Sequence, residues 1–331
     1  MAAAPCPFQW TELTPEETAR VQADFPESTV NDLVRSEHGL IMPRDFVGIS
    51  ERLYNFTLRD DDIWIVTYPK VGTTWTQEMV WMLVNNVDEE AGAVPQFLRS
   101  PFLEVGAIMG KMADGSPFPE MVKEVLKDSI TYADSLKGRR VLKSHLPLEF
   151  LPPKLTQRCK VVYVARNPKD TCVSWFKHNQ SMPGHGYVGD FAEFSELFKA
   201  GLTIYGDYWS HIVSGWKVRD HPNVKFLWFE DMKKDQQKII EDLCVFLGHP
   251  LTPGQVDKLV EHLKFDNMKR NPNANPTAGM DLEALGKTDF MRKGQVAALF
   301  STLHSPCVSS VTIVMLFNTS TGRRLEELLH C

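Results

Sequence analysis

The chain has 331 residues, 43% of them hydrophobic and 24% charged, with a formal net charge of −6. That length can bury one large core or two modest ones, and the mild acidity argues against a nucleic-acid binder, which carries a basic surplus. The six cysteines (Cys6, Cys159, Cys172, Cys244, Cys307 and Cys331) are scattered without a Cys-x-x-Cys pair. Neither a zinc site nor a disulfide framework is expected from them, and a reducing, cytoplasmic setting fits.

Residues 1–10 lack a basic stretch followed by an apolar core, so no secretory signal is expected. The Asn-x-Ser/Thr triplets at Asn55, Asn179 and Asn318 then read as chance. Residues 1–60 are polar with scattered aromatics, among them Phe8, Trp10, Phe25 and Phe46. They read as an arm and one or two short helices over the core, the clearest spanning 44–54.

The organising stretch is residues 61–75. Ile63, Trp64, Ile65, Val66 and Thr67 form a short β-branched and aromatic run ending at Pro69, which is a buried strand rather than a helix. Lys70, Val71, Gly72, Thr73, Thr74 and Trp75 follow, and Gln77 to Val84 continues as a helix with an apolar face. A strand, a tight glycine turn and a helix start hold an anion: unpaired N–H groups and the positive end of the helix dipole converge there. The Walker loop G-x-x-x-x-G-K-[ST] places its lysine after the second glycine, whereas Lys70 precedes the only glycine here and enters from the strand side.

A Pro-punctuated loop covers 94–104, with a helix expected near 118–127. Residues 140–145 and 159–165 read as strands, the second followed by a helix whose first turn suits Pro168. Residues 191–200 and 204–216 read as helices, 224–229 as a strand, and 233–247 and 253–263 as helices. Strands alternating with helices predict parallel βαβ units in one α/β domain, a central parallel sheet flanked by helices. Ligands in such sheets sit at the carboxyl ends of the strands, where Lys70, His145 and Arg166 fall.

The run Tyr68-Pro69-Lys70-Val71-Gly72-Thr73-Thr74-Trp75 resembles the phosphosulfate loop of the cytosolic sulfotransferases. Four further segments, in order and in register, carry the same resemblance: Lys143-Ser144-His145-Leu146-Pro147, Tyr163 to Ser174, Phe229-Glu230-Asp231-Met232, and Phe290-Met291-Arg292-Lys293-Gly294. The likeness spans 8–296 and is greatest to arthropod members; Val71, where the family has a small residue, is a mild departure.

The resemblance implies a transferase moving a sulfuryl group from 3′-phosphoadenosine-5′-phosphosulfate (PAPS) to a hydroxyl or amine of a small apolar acceptor, leaving the product PAP. It implies a P-loop-like donor site made by residues 70–75. Arg166, Ser174 and Phe290 to Gly294 would hold the 3′-phosphate end, with Trp75, Tyr205 and Phe265 around the adenine. His145 would be the general base, and Lys70 and Lys143 would stabilise charge at the transferring group. Phe97 and Phe102, with Lys143 and His145, would line the acceptor side. A sulfuryl group carries less charge than a phosphoryl group, so no metal is expected, and neither nucleic acid nor membrane is an expected partner.

Rival readings are an Arg166–Asp170 ion pair, a structural histidine at 145, plain core aromatics at Tyr205, and Phe102 as loop packing. A P-loop kinase is disfavoured by the missing Gly-Lys-Ser/Thr order and the lack of metal carboxylates.

The likeness is expected to end after Val296. Where the family continues with Gly-x-Trp, this chain has Ala297-Ala298-Leu299, and 297–331 reads as a divergent tail without the family's dimerisation segment. The alternative to an active enzyme is therefore a nucleotide- or ligand-binding variant impaired by that tail. A glycine there lets backbone approach a phosphate closely, and a Cβ obstructs it. Replacing 297–331 with a Gly-Asp-Trp-Lys continuation should raise PAP affinity and favour a homodimer in sedimentation. Equal affinity and association in both forms would show the tail to be harmless.

Overall fold

A computed structural model describes residues 7–26, 28, 32–113, 120–182, 184–275, 278 and 290–291. The N-terminal region is more ordered than its polar sequence predicts. Three short strands, β1 (Trp10–Glu12), β2 (Leu33–Ser36) and β3 (Ile41–Pro43), form an antiparallel sheet in the order β1-β2-β3. Strands of three or four residues are too short to display a two-residue period, so they are not legible in the sequence pattern. Helices Pro15–Asp24 and Asp45–Tyr54 complete the region, the first set by a capping box between Thr14 and Glu17.

The main sheet is built from β4 (Ile63–Thr67), β5 (Val141–Ser144), β6 (Lys160–Ala165) and β7 (Val224–Trp228), in the order β5-β4-β6-β7. All its pairings are parallel. All five residues of β4 are buried, as expected of a parallel strand covered by helices on both faces. Burying each side chain the size of Val or Ile contributes about 1.5–3 kcal/mol, so this strand anchors the core that spans both faces. The expected single α/β unit with a parallel sheet flanked by helices is what forms.

Two helices differ from expectation. The 204–216 segment becomes helical only at Tyr208 (Tyr208–Lys217), because Asp207 caps it by accepting from the Trp209 and Ser210 N–H groups. The 233–247 segment is two helices, Phe229–Lys234 and Gln236–Leu247. Asp235 leaves helical geometry (φ −147°) to cap the second by accepting from the Lys238 N–H. Among the described residues no helix is long and apolar enough to cross a membrane.

A buried ion pair ties the starts of β4 and β5. The Arg140 guanidinium donates to Asp62 at 2.7 Å (Nε to Oδ1) and 2.6 Å (Nη2 to Oδ2), and Nη2 also donates to the Thr57 carbonyl at 2.7 Å. Both side chains are fully buried. Removing one partner leaves an uncompensated buried charge, at a cost of about 3–5 kcal/mol. Arg140→Ala should therefore lose about 3–5 kcal/mol in urea denaturation with unchanged slope; a loss below 1 kcal/mol would show that water or a neighbour replaces the guanidinium.

Candidate active site

The turn after β4 is strained and held from outside. Lys70 (φ +67°) and Gly72 (φ +105°) both occupy left-handed backbone, which costs a non-glycine residue roughly 1–2 kcal/mol. The Lys70 carbonyl is fixed by Arg166, whose Nη1 donates to it at 3.0 Å. Arg166 is buried just past the end of β6, and its guanidinium lies 4.4 Å from the centre of the Phe229 ring. Tyr208 donates its hydroxyl to the Arg166 carbonyl. Phe229 also meets Trp75 edge-on at 5.9 Å, and a Cβ at Gly72 would stand 2.7 Å from its Cδ2. Only glycine satisfies both the backbone angle and the contact.

Helix Thr73–Val84 starts at this turn, with Gly72 as its N-cap. The first N–H groups of a helix have no partner within it, and they carry the positive end of its dipole. Thr73 is braced from behind, its hydroxyl 2.8 Å from that of Thr67. Val71 is fully buried, Thr74 is half-buried, and the Thr74 carbonyl accepts from Gln96. The Trp75 indole N–H is buried and, among the described residues, makes no hydrogen bond.

His145 follows β5 and is pinned at three points. Its Nδ1 lies 2.8 Å from the Thr67 carbonyl oxygen, its backbone N–H donates to Glu104 Oε1 at 2.6 Å, and its carbonyl lies 3.0 Å from His211 Nε2. A carbonyl only accepts, so Nδ1 carries the proton and Nε2 keeps the lone pair. Burial, then the Lys143 charge, holds the imidazole pKa well below its ordinary value against the opposing pull of the Thr67 bond. The ring is neutral at physiological pH.

Two lysines flank this base. Lys143 Nζ lies 3.9 Å from the centre of the Phe102 ring, and burial pushes its pKa down to about 8 against the opposing charge of Glu104. Lys70 Nζ lies 3.4 Å from His178 Nδ1 and 4.4 Å from the centre of the Phe290 ring. His178 stacks on Trp175 (5.2 Å, 17°), and burial, then the Lys70 charge, lowers its pKa well below the usual value.

Phe102 and Tyr205 meet the His145 ring edge-on at 5.1 and 5.4 Å. Tyr205 thus stands with the base, in a different aromatic cluster from Trp75 and Phe229, although the resemblance implied a place at the adenine. Ser174 is half-buried on helix Pro168–Ser181, and Phe265 begins helix Phe265–Arg270. Phe97 lies on the short helix Gln96–Arg99 and is 36% exposed, whereas Met291 packs on the core. Arg292, Lys293 and Gly294, with the whole tail from 297, lie outside the described residues.

Sequence reasoning missed Glu104 and His178. Neither belongs to a motif with a chemical spacing, and only the fold carries them to Lys143 and Lys70. Two surface cavities, of about 720 and 630 Å³, are lined by none of these site residues.

A family model described as the sulfotransferase domain matches residues 60–302. The chain belongs to the sulfotransferase family. The match runs past Val296, where the sequence likeness was expected to stop. Luciferin sulfotransferase of Photinus pyralis is 35% identical over 263 residues, covering 77% of this chain and 70% of that protein. Sulfotransferase 1E1 of Homo sapiens is 36% identical over 261 residues, covering 78% and 83%. Among solved structures, retinol dehydratase crystallised with retinol and PAP superposes with a TM-score of 0.83 at 29% identity, covering 93% of this chain and 95% of that one. Another crystal of retinol dehydratase, with androsterone and PAP described as inactive cofactor, gives the same TM-score of 0.83. The protein is thus a sulfotransferase.

In this sulfotransferase the loop geometry itself makes a prediction. Gly72→Ala forces a Cβ against Phe229 in left-handed backbone, and such strain costs of order 1–3 kcal/mol. Chemical denaturation should show a loss of that size. An unchanged midpoint would mean that Phe229 swings aside without cost.

Proposed function

We propose that this sulfotransferase moves the sulfuryl group of PAPS to the hydroxyl of a small, largely apolar acceptor, of alcohol, phenol or steroid type, with His145 as general base. The observation that carries this is the Nδ1–H bond to the Thr67 carbonyl. It leaves a neutral Nε2 beside two lysines and between two aromatic rings.

The loop fits the donor. The first-turn N–H groups of helix Thr73–Val84 have no partner within the helix, and among the described residues the Trp75 indole N–H makes no hydrogen bond. Residues 70–75, with Arg166, Ser174, Phe265, Phe290, Met291, Arg292, Lys293 and Gly294, are the candidates to hold PAPS. The bound donor supplies the sulfuryl group and a phosphate leaving group. His145 removes the acceptor's proton at Nε2, and Lys70 and Lys143 supply fixed positive charge where negative charge grows. A positioned base of this kind is worth roughly 10²–10⁴-fold in rate.

The acceptor class rests on the apolar walls and on the relatives. Phe102 and Tyr205 face His145, and the retinol dehydratase crystals hold retinol and androsterone, apolar alcohols. An amine acceptor would use the same base.

A labelled-donor assay over phenols, steroids and long-chain or isoprenoid alcohols tests this reading. His145→Ala should lower turnover of the best acceptor by about 10²-fold or more and leave PAP affinity within about twofold. Loss of PAP binding in step with rate would remove His145 from the base role. PAP binding by the unaltered protein with no turnover of any acceptor would favour the impaired, ligand-binding alternative.

A further inference from the structure

Behind the base lies a carboxylate to which the proposed mechanism gives no role. The loop before it runs beside β5: the Lys143 N–H donates to the Pro101 carbonyl at 2.9 Å, and the Leu103 N–H donates to the Lys143 carbonyl at 3.0 Å. This pairing brings Glu104 inside the fold, with no exposed surface. Its Oε1 accepts from the His145 backbone N–H at 2.6 Å, the Ser144 hydroxyl at 3.2 Å and the Tyr205 hydroxyl at 3.4 Å. Its Oε2 is buried and makes no hydrogen bond among the described residues. A buried carboxylate with one oxygen unsatisfied is unfavourable for stability alone, and such groups in native proteins call for a reason.

The nearby Lys143 ammonium provides one. Burial pushes the Glu104 pKa up to about 7, opposed by the His145 N–H and by the Lys143 charge, among others. Glu104 in turn opposes the downward shift that burial imposes on Lys143. Ser144, His145 and Tyr205 also face the pair, with Lys70, His178 and His211 beyond them.

We infer that Glu104 is a positioning residue of the transfer site: it fixes the main chain of His145 and supplies the negative charge that keeps Lys143 a cation. The inference rests on the proposed roles of His145 and Lys143 and adds a cause for each. Without Glu104, burial acts on Lys143 unopposed, so the lysine loses its proton at lower pH and the alkaline limb of the rate profile moves down.

Glu104→Gln is the test, since it keeps shape and removes charge. PAP affinity should stay within about twofold, kcat at pH 8 should fall about tenfold or more, and the alkaline limb should move down by about one pH unit. In a Lys143→Arg background, where the cation cannot deprotonate, the same change should leave the limb in place. An unmoved limb in the single variant, or an equal shift in the Arg background, overturns the inference. Should Glu104→Gln not fold, Glu104→Asp keeps the charge and shortens the reach: kcat should fall with the limb at its original pH, and a displaced limb overturns the inference. The Lys143 titration, followed by NMR on the full chain with Lys143→Arg for assignment, gives a readout independent of turnover. A lower midpoint in Glu104→Gln supports the charge role even if the sulfuryl-transfer reading fails; an unchanged midpoint overturns it.

Discussion

The site depends on β4 being paired in parallel on both of its edges. The registers Val66 with Ser144 and Thr67 with Val164 bring three strand ends level. The chain leaving β4 gives the Lys70–Gly72 turn, the chain leaving β5 gives His145, and the chain leaving β6 gives Arg166. Because the strands run the same way, these residues emerge at one edge of the sheet, where open α/β sheets bind their ligands. The Thr67 carbonyl, the last of β4, then sets the His145 tautomer, and the Arg166 side chain holds the strained Lys70 carbonyl.

The small N-terminal sheet supports the same edge from behind. The Tyr205 N–H donates to the Ile41 carbonyl of β3 at 2.8 Å, with Tyr205 itself in left-handed backbone (φ +74°). Gly206 follows at φ +65°, and a Cβ there would run into the Gly39 carbonyl. The region that the sequence suggested was an arm with short helices over the core also carries a small sheet that acts as a buttress, setting the tyrosine whose ring and hydroxyl meet His145 and Glu104.

The site gathers ionisable groups that water would solvate better. Lys143, Glu104, His145, His178 and His211 all have pKa values displaced chiefly by burial. The displacements follow one logic: histidines stay neutral and able to accept protons, while a carboxylate offsets the burial of a lysine. Groups shifted in opposed directions within one cluster are what acid–base chemistry near neutral pH needs. The core around β4 and the Asp62–Arg140 pair provide the stability against which this strain is held.

Local chemistry made much of this legible from the sequence. The run Ile63–Thr67 had the length and β-branching of a buried strand, and the Lys70–Thr74 turn had the glycine and helix start of an anion site. The order of strands and helices required a parallel sheet, and five motifs in register pointed to the sulfotransferase family. The positions that only the tertiary structure decided are those whose partners lie far along the chain. Glu104 meets His145 and His178 meets Lys70 across 41 and 108 positions, and no local period records such pairings. Asp207 and Asp235 start their helices later than the apolar pattern implied, because a cap depends on where the chain turns. The sequence determined which chemistry the strand ends carry; the fold alone decided which buried charge stands behind each group, since burial and distance are properties of the packed chain.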